Sequence, residues 1–185
     1  LNRIDKESGE LSDASGSIVC WTPIPKRWNT INLDGDDHTI SGLYINESGK
    51  AGLYASLGVG SFKNLTITDS FVKGGDNVGV LIGDSSYSTD SLSADNVKIE
   101  NTIVRGNNCV GGLFGSLETE TDKTEYTITS CTVGPNVTVT GTGNKVGGIA
   151  GEFAGKHRGT ILNSSSAATV TGKNYCLLYT SDAAD

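Results

Sequence analysis

Apolar residues at Leu65/Ile67, at Val97/Ile99/Ile103 and at Val137/Val139 alternate with Thr, Lys and Glu. That spacing is the period of a half-buried strand. Thr, Val and Ile dominate these stretches, and β-branched side chains fit a pleated surface. No segment carries a 3.6-residue apolar period over three turns, so the pattern predicts strands throughout and no helix.

A second signal is interleaved with the strands. A Gly-flanked apolar box recurs as Ala51-Gly52-Leu53-Tyr54-Ala55, Val78-Gly79-Val80-Leu81-Ile82-Gly83, Val110-Gly111-Gly112-Leu113-Phe114-Gly115 and Val146-Gly147-Gly148-Ile149-Ala150-Gly151. The second residues of the boxes are 27, 32 and 36 positions apart. After each box comes a β-prone run, containing Ile67-Thr68-Asp69, Ile99-Glu100-Asn101, Ile128-Thr129-Ser130 and Ile161-Leu162-Asn163, each with an apolar-x-polar signature. Gly- and Asn-rich turns follow at Gly74–Asn77, Gly106–Asn108 and Gly141–Asn144. A period in this range marks a solenoid or array. One unit of about 30 residues cannot bury its apolar edge alone, so neighbouring units must stack.

The expected fold is therefore all-β: a right-handed parallel β-helix of about five coils, truncated at both ends. A Gly-rich sandwich is the runner-up, but it has no need of a repeating box. The box glycines Gly52, Gly79, Gly83, Gly111, Gly112, Gly115, Gly147, Gly148 and Gly151 suit positive φ or close approach of coils, with Leu113 as the apolar member. The variable stretches Asp84–Asp95 and Leu117–Glu125 read as loops on one side of the solenoid.

Composition sets limits on chemistry. Of 185 residues 25 are Gly, and the formal net charge is −7. An acidic chain with no cluster of Lys and Arg lacks a nucleic-acid footprint, and no apolar run approaches the roughly 18 residues of a membrane span. The chain starts at Leu1 without Met, so residues 1–20 read as the lead-in of a truncated domain, with repeats over 21–175. Residues 176–185, from Cys176 to Asp185, resemble a translated sequencing adapter and stand where another box is due, so they read as non-native.

Asp34, Asp36, Asp37 and His38 form the densest polar cluster. Ca²⁺ favours such oxygens, but the twelfth position of an EF-hand frame is the apolar Ile45, and Asp-Gly before a β run is ordinary turn chemistry. Glu118–Asp122 reads as a solvated acidic loop and Lys156-His157-Arg158 as a solvated basic turn. His38 and His157 are the only histidines, no His-Glu-x-x-His occurs, and no nucleophile–base pair is visible. A polar ladder of Asp69, Asn101, Ser130 and Asn163 at a coil corner explains those residues better than paired catalytic carboxylates do. Cys20, Cys109 and Cys131 show no C-x-x-C spacing; Cys131 reads as a small buried hydrophobe, and a Cys109–Cys131 bridge is left open. No catalytic, cofactor-binding or metal-binding residue is expected.

The boxes Gly112-Leu113-Phe114-Gly115 and Gly148-Ile149-Ala150-Gly151 resemble the GLUG motif of large bacterial surface proteins, including adhesin-like proteins of Bacteroidetes. Trp21–Pro25 and Leu33–Ile45 are similar to the segment that precedes such arrays. Box one departs in carrying Ala55 for its last Gly, and box two in carrying Val80 for its first. The resemblance implies export, surface display and a non-catalytic stalk or adhesive role, with host glycans or host surface proteins as partners. The alternatives are the non-catalytic arm of an immunoglobulin-A-type metallopeptidase or a fragment of a β-helical polysaccharide-degrading enzyme. Open terminal coils predict self-association.

Overall fold

A computed structural model describes residues 20–25, 30–85, 91–119, 125–155 and 159–177. Every described element is a strand, and every strand pair is parallel. The first coil runs through β1 (Ile31–Ser41), β2 (Tyr44–Asn46) and β3 (Tyr54–Ser56). The second repeats the path as β4 (Gly60–Thr68), β5 (Phe71–Lys73) and β6 (Ile82–Asp84). The third comprises β7 (Leu92–Ile99), β8 (Ile103–Gly106), β9 (Val110–Gly111) and β10 (Phe114–Thr119). The fourth comprises β11 (Tyr126–Thr129), β12 (Thr132–Val133), β13 (Thr138–Gly141), β14 (Asn144–Gly147) and β15 (Ala150–Gly155). A further partial coil holds β16 (Gly159–Leu162), β17 (Ser165–Ser166), β18 (Thr169–Thr171) and β19 (Asn174–Leu177).

Equivalent strands stack into faces. One face orders β1-β4-β7-β11-β16, the next β2-β5-β8-β13-β18, a short one β9-β14-β19, and the last β3-β6-β10-β15. The result is a β-solenoid of about four turns, one fewer than the repeat count suggested. Inward columns fill the core: Leu33, Phe62, Ala94, Ile128 and Ile161 stand in register across the first face. Ile67, Ile99 and Val133 form a second column, all fully buried.

This register corrects the four-residue polar ladder. Ile128 pairs with Ala94 and not with Ile99, so Ser130 and Asn163 fall beside Asn96 and Asn64. Asp69 and Asn101 belong to a separate corner column that begins with Gly42. Both columns have positive φ, from 41° at Asn101 to 77° at Gly42. Asn and Asp tolerate this left-handed region through local hydrogen bonding, which is why they recur at the bends. A third such column, Asn77, Cys109 and Lys145, precedes the second, third and fourth boxes.

The box glycines are needed for space. A Cβ on Gly115 would lie 2.3 Å from the Gly83 carbonyl oxygen and 2.4 Å from the Val78 nitrogen; one on Gly151 would lie 2.3 Å from the Val110 nitrogen. Among the described glycines only Gly42 has positive φ, so close approach of coils, not backbone hand, selects glycine in the boxes. The first box is one residue shorter, which places Ala55 in the column of Gly83, Gly115 and Gly151. Val80 takes the place of Gly112 and is fully buried there.

Candidate functional site

The connections that vary most in length leave the solenoid at one corner, between the face ending in β3, β6, β10 and β15 and the face starting in β4, β7, β11 and β16. They span residues 57–59, 85–91, 120–125 and 156–158. Strands persist to Asp84 and Thr119, so the loops are shorter than the sequence boundaries suggest. Lys156, His157, Arg158 and residues 120–122 of the acidic loop lie outside the described residues. At the base of this corner Ser85 Oγ donates to Tyr126 Oη at 2.9 Å, and that hydroxyl donates to the Glu118 carbonyl oxygen at 3.0 Å. Burial pushes the Tyr126 hydroxyl up to about 12.

The Asp34–His38 cluster forms a bulge in which Gly35, Asp36 and Asp37 oppose Asn64 alone. Asp34 is engaged by donors: Lys63 Nζ at 2.9 Å, the Asp36 amide at 3.1 Å and Asn64 Nδ2 at 3.1 Å. The Lys63 contact, then the Asp36 amide, hold its carboxyl below the usual range. Asn96 continues this ladder by donating to Asn64 Oδ1 at 3.1 Å, while His38 Nδ1 lies 2.9 Å from the Gly35 carbonyl oxygen. Among the described residues no group of three or more His, Cys, Asp or Glu converges to hold a metal.

A second ladder climbs the turns before the boxes. Asp76 accepts from the Asn108 amide at 3.0 Å, from Asn108 Nδ2 at 2.9 Å and from Asn107 Nδ2 at 3.0 Å. Asn108 Oδ1 in turn accepts the Asn144 amide at 2.8 Å. The Asn108 backbone donor, then its side chain, lowers the Asp76 pKa below its ordinary 3.8. A carboxyl with a depressed folded-state pKa contributes stability above its unfolded pKa and loses it as pH falls through the folded value. Melting temperatures measured downward from pH 4 should therefore fall, and Asp76→Asn should show a shallower acid limb than the wild type. Equal limbs would remove Asp76 from the account.

Cys109 and Cys131 are free and buried, which settles the open bridge. The Cys109 thiol donates to Glu152 Oε2 at 3.2 Å, and Cys131 donates to the Thr129 carbonyl oxygen at 3.3 Å. Burial, assisted at Cys109 by Glu152, pushes the two thiols up to about 12 and about 11. Thiolates are the reactive form. Of these three cysteines, only the exposed Cys20 should be alkylated by iodoacetamide at pH 8 in the native protein, as read by peptide mapping.

Two charge pairs at the box corners are not revealed by sequence spacing. Lys50 Nζ meets Asp84 Oδ2, and Lys145 Nζ meets Glu152 Oε1. Lys50 and Asp84 lie a full coil apart in sequence, so only the stacking register brings them together.

Trp21–Pro25 lies along the first coil. The Trp21 amide donates to the Tyr44 carbonyl oxygen at 2.8 Å, and Ile24 bridges to Tyr54. The edges of β2 and β3 are thus covered there, contrary to a wholly open first coil. Beside Trp21 a groove of about 410 Å³ is lined by Ile40, Gly42, Leu43 and Tyr44 among others. Its polar lining residues are Cys20, Thr22, Ser41 and Tyr44.

No protein-family model matches the chain, and no solved structure matches it. A segment of 68 residues, 35% of this chain, is 38% identical to a halomucin from Haloquadratum walsbyi. The chain spans about 1% of the length of that protein.

Proposed function

We propose that this chain is a non-catalytic structural and adhesive repeat region, built of GLUG-type boxes, of an exported bacterial cell-surface protein. It holds loops of varied length toward host glycans or host surface proteins. The observation that carries the reading is the common corner from which the most variable connections leave a parallel-stranded scaffold. Loops displayed on a scaffold are a usual vehicle for recognition. The partial similarity to a halomucin supports an outward-facing location.

The test is binding of the full chain to a glycan array and to immobilised mucin, with release of reducing ends followed in parallel. The reading expects retention without release, and at least a severalfold loss of retention when residues 86–90 and 120–124 are replaced by short Gly-Ser links. Hydrolysis of mucin or polysaccharide by the chain would overturn it.

A further inference from the structure

The corner formed by Lys50, Asn77 and Asp84 differs chemically from the others. Ala51 pairs with Val78, and the Ala51 amide donates to the Asn77 carbonyl oxygen at 3.2 Å, so Lys50 and Asn77 are lateral neighbours on adjacent coils. Their side chains end on the two oxygens of one carboxylate. Lys50 Nζ meets Asp84 Oδ2, and Asn77 Nδ2 lies 3.5 Å from Oδ1. Asp84 is wholly buried, between Ser56 of β3 and Ser116 of β10. An amine, a carboxamide and a buried carboxylate thus share one point.

We propose that Lys50 and Asn77 become joined by an isopeptide bond, with Asp84 as the proton carrier. The reaction begins when Asp84 accepts a proton from the Lys50 ammonium, which leaves a neutral amine. That nitrogen attacks Cγ of Asn77 and forms the new C–N bond. The Asp84 carboxyl then donates its proton to the departing amide nitrogen as the old C–N bond breaks. The Lys50 nitrogen gives up a second proton through Asp84 to the same leaving group, which departs as ammonium, and Asp84 ends as the carboxylate it began as. No oxidant or reductant is involved. The amide would tie the first coil covalently to the second.

The same fold supplies its own control. Three coils on from Lys50, Lys145 meets Glu152, but the neighbour that shares this carboxylate is Cys109, which has no carboxamide. That corner can form an ion pair only.

The experiment is intact-mass spectrometry of the full chain with tryptic mapping, on the wild type, Lys50→Arg and Asp84→Ala. The expected wild type is lighter than its sequence by one ammonia and yields a branched peptide joining Lys50 to Asn77, uncleaved after Lys50. Lys50→Arg, whose side chain is 42% exposed in the wild type and should accept the change, is expected at full mass. Asp84→Ala is expected at full mass as well; should it not fold, Lys50→Arg carries the test alone. A wild type of full mass overturns the proposal. So does ammonia loss that persists in Lys50→Arg, which would be cyclisation of Asn77 onto its own backbone.

Discussion

Replacing Gly115 with alanine is expected to destabilise the solenoid by about 3 kcal/mol or more, at the upper end of overpacking effects. The new Cβ would face the Gly83 carbonyl oxygen at 2.3 Å and the Val78 nitrogen at 2.4 Å. Both obstacles are backbone atoms of neighbouring segments, so no rotamer change relieves them, and separating the coils would disturb the pairing of β10 with β6 and β15. Gly49→Ala is the matched control: nothing lies within 4 Å of its Cβ position, and its change should stay within about 0.5 kcal/mol or be mildly stabilising. Urea midpoints of the two variants decide the matter. Equal midpoints would mean that box glycines are not set by coil-to-coil approach.

Truncating Phe114 to alanine should cost about 3–5 kcal/mol, because the ring is fully buried and the cavity cannot collapse between stacked coils. Phe114 stands in a column with Tyr54, Ile82 and Ala150, so the loss falls on an interface shared by consecutive coils. In a linear array such nearest-neighbour terms carry the stability. Leu162→Ala offers the contrast. That side chain is 52% exposed on β16, and its removal should change stability by no more than about 0.5 kcal/mol. Thermal unfolding that ranked the two variants equally would contradict the assignment of the core.

The all-β solenoid was legible because two independent periods, the alternating strands and the glycine box, run in the same order along the chain. The turns before the boxes were also legible. Gly74, Gly106 and Gly141 open equivalent bends, and Asp76, Asn108 and Asn144 share a column. Register within the first face was not. In the second and third coils an apolar-x-polar triplet occurs twice on this face, at the mid-face bend and at the corner, and the bends hold Asn or Asp with positive φ. Matching triplets by likeness slid Ile128 onto Ile99, although hydrogen bonding sets it beside Ala94. Pairs across coils were hidden for a related reason. Lys50 and Asp84 become neighbours only once coil length and box length are known, and the first box is one residue short. The cluster at Asp34–His38 was visible as a turn, but its bulge depends on Asn64 in the next coil.

Parallel coils in this register are the central claim, and electron paramagnetic resonance of paired nitroxide labels tests it most directly. With the native cysteines replaced by alanine, labels go onto Ser93 and Thr127, which face each other on adjacent rungs. A second pair goes onto Lys98 and Thr127. Neighbouring strands lie about 4.8 Å apart, and five residues along a strand add about 16 Å. The account predicts strong dipolar broadening for Ser93/Thr127 and little for Lys98/Thr127. The reverse ranking would set Ile128 against Ile99 and contradict the stacking described here.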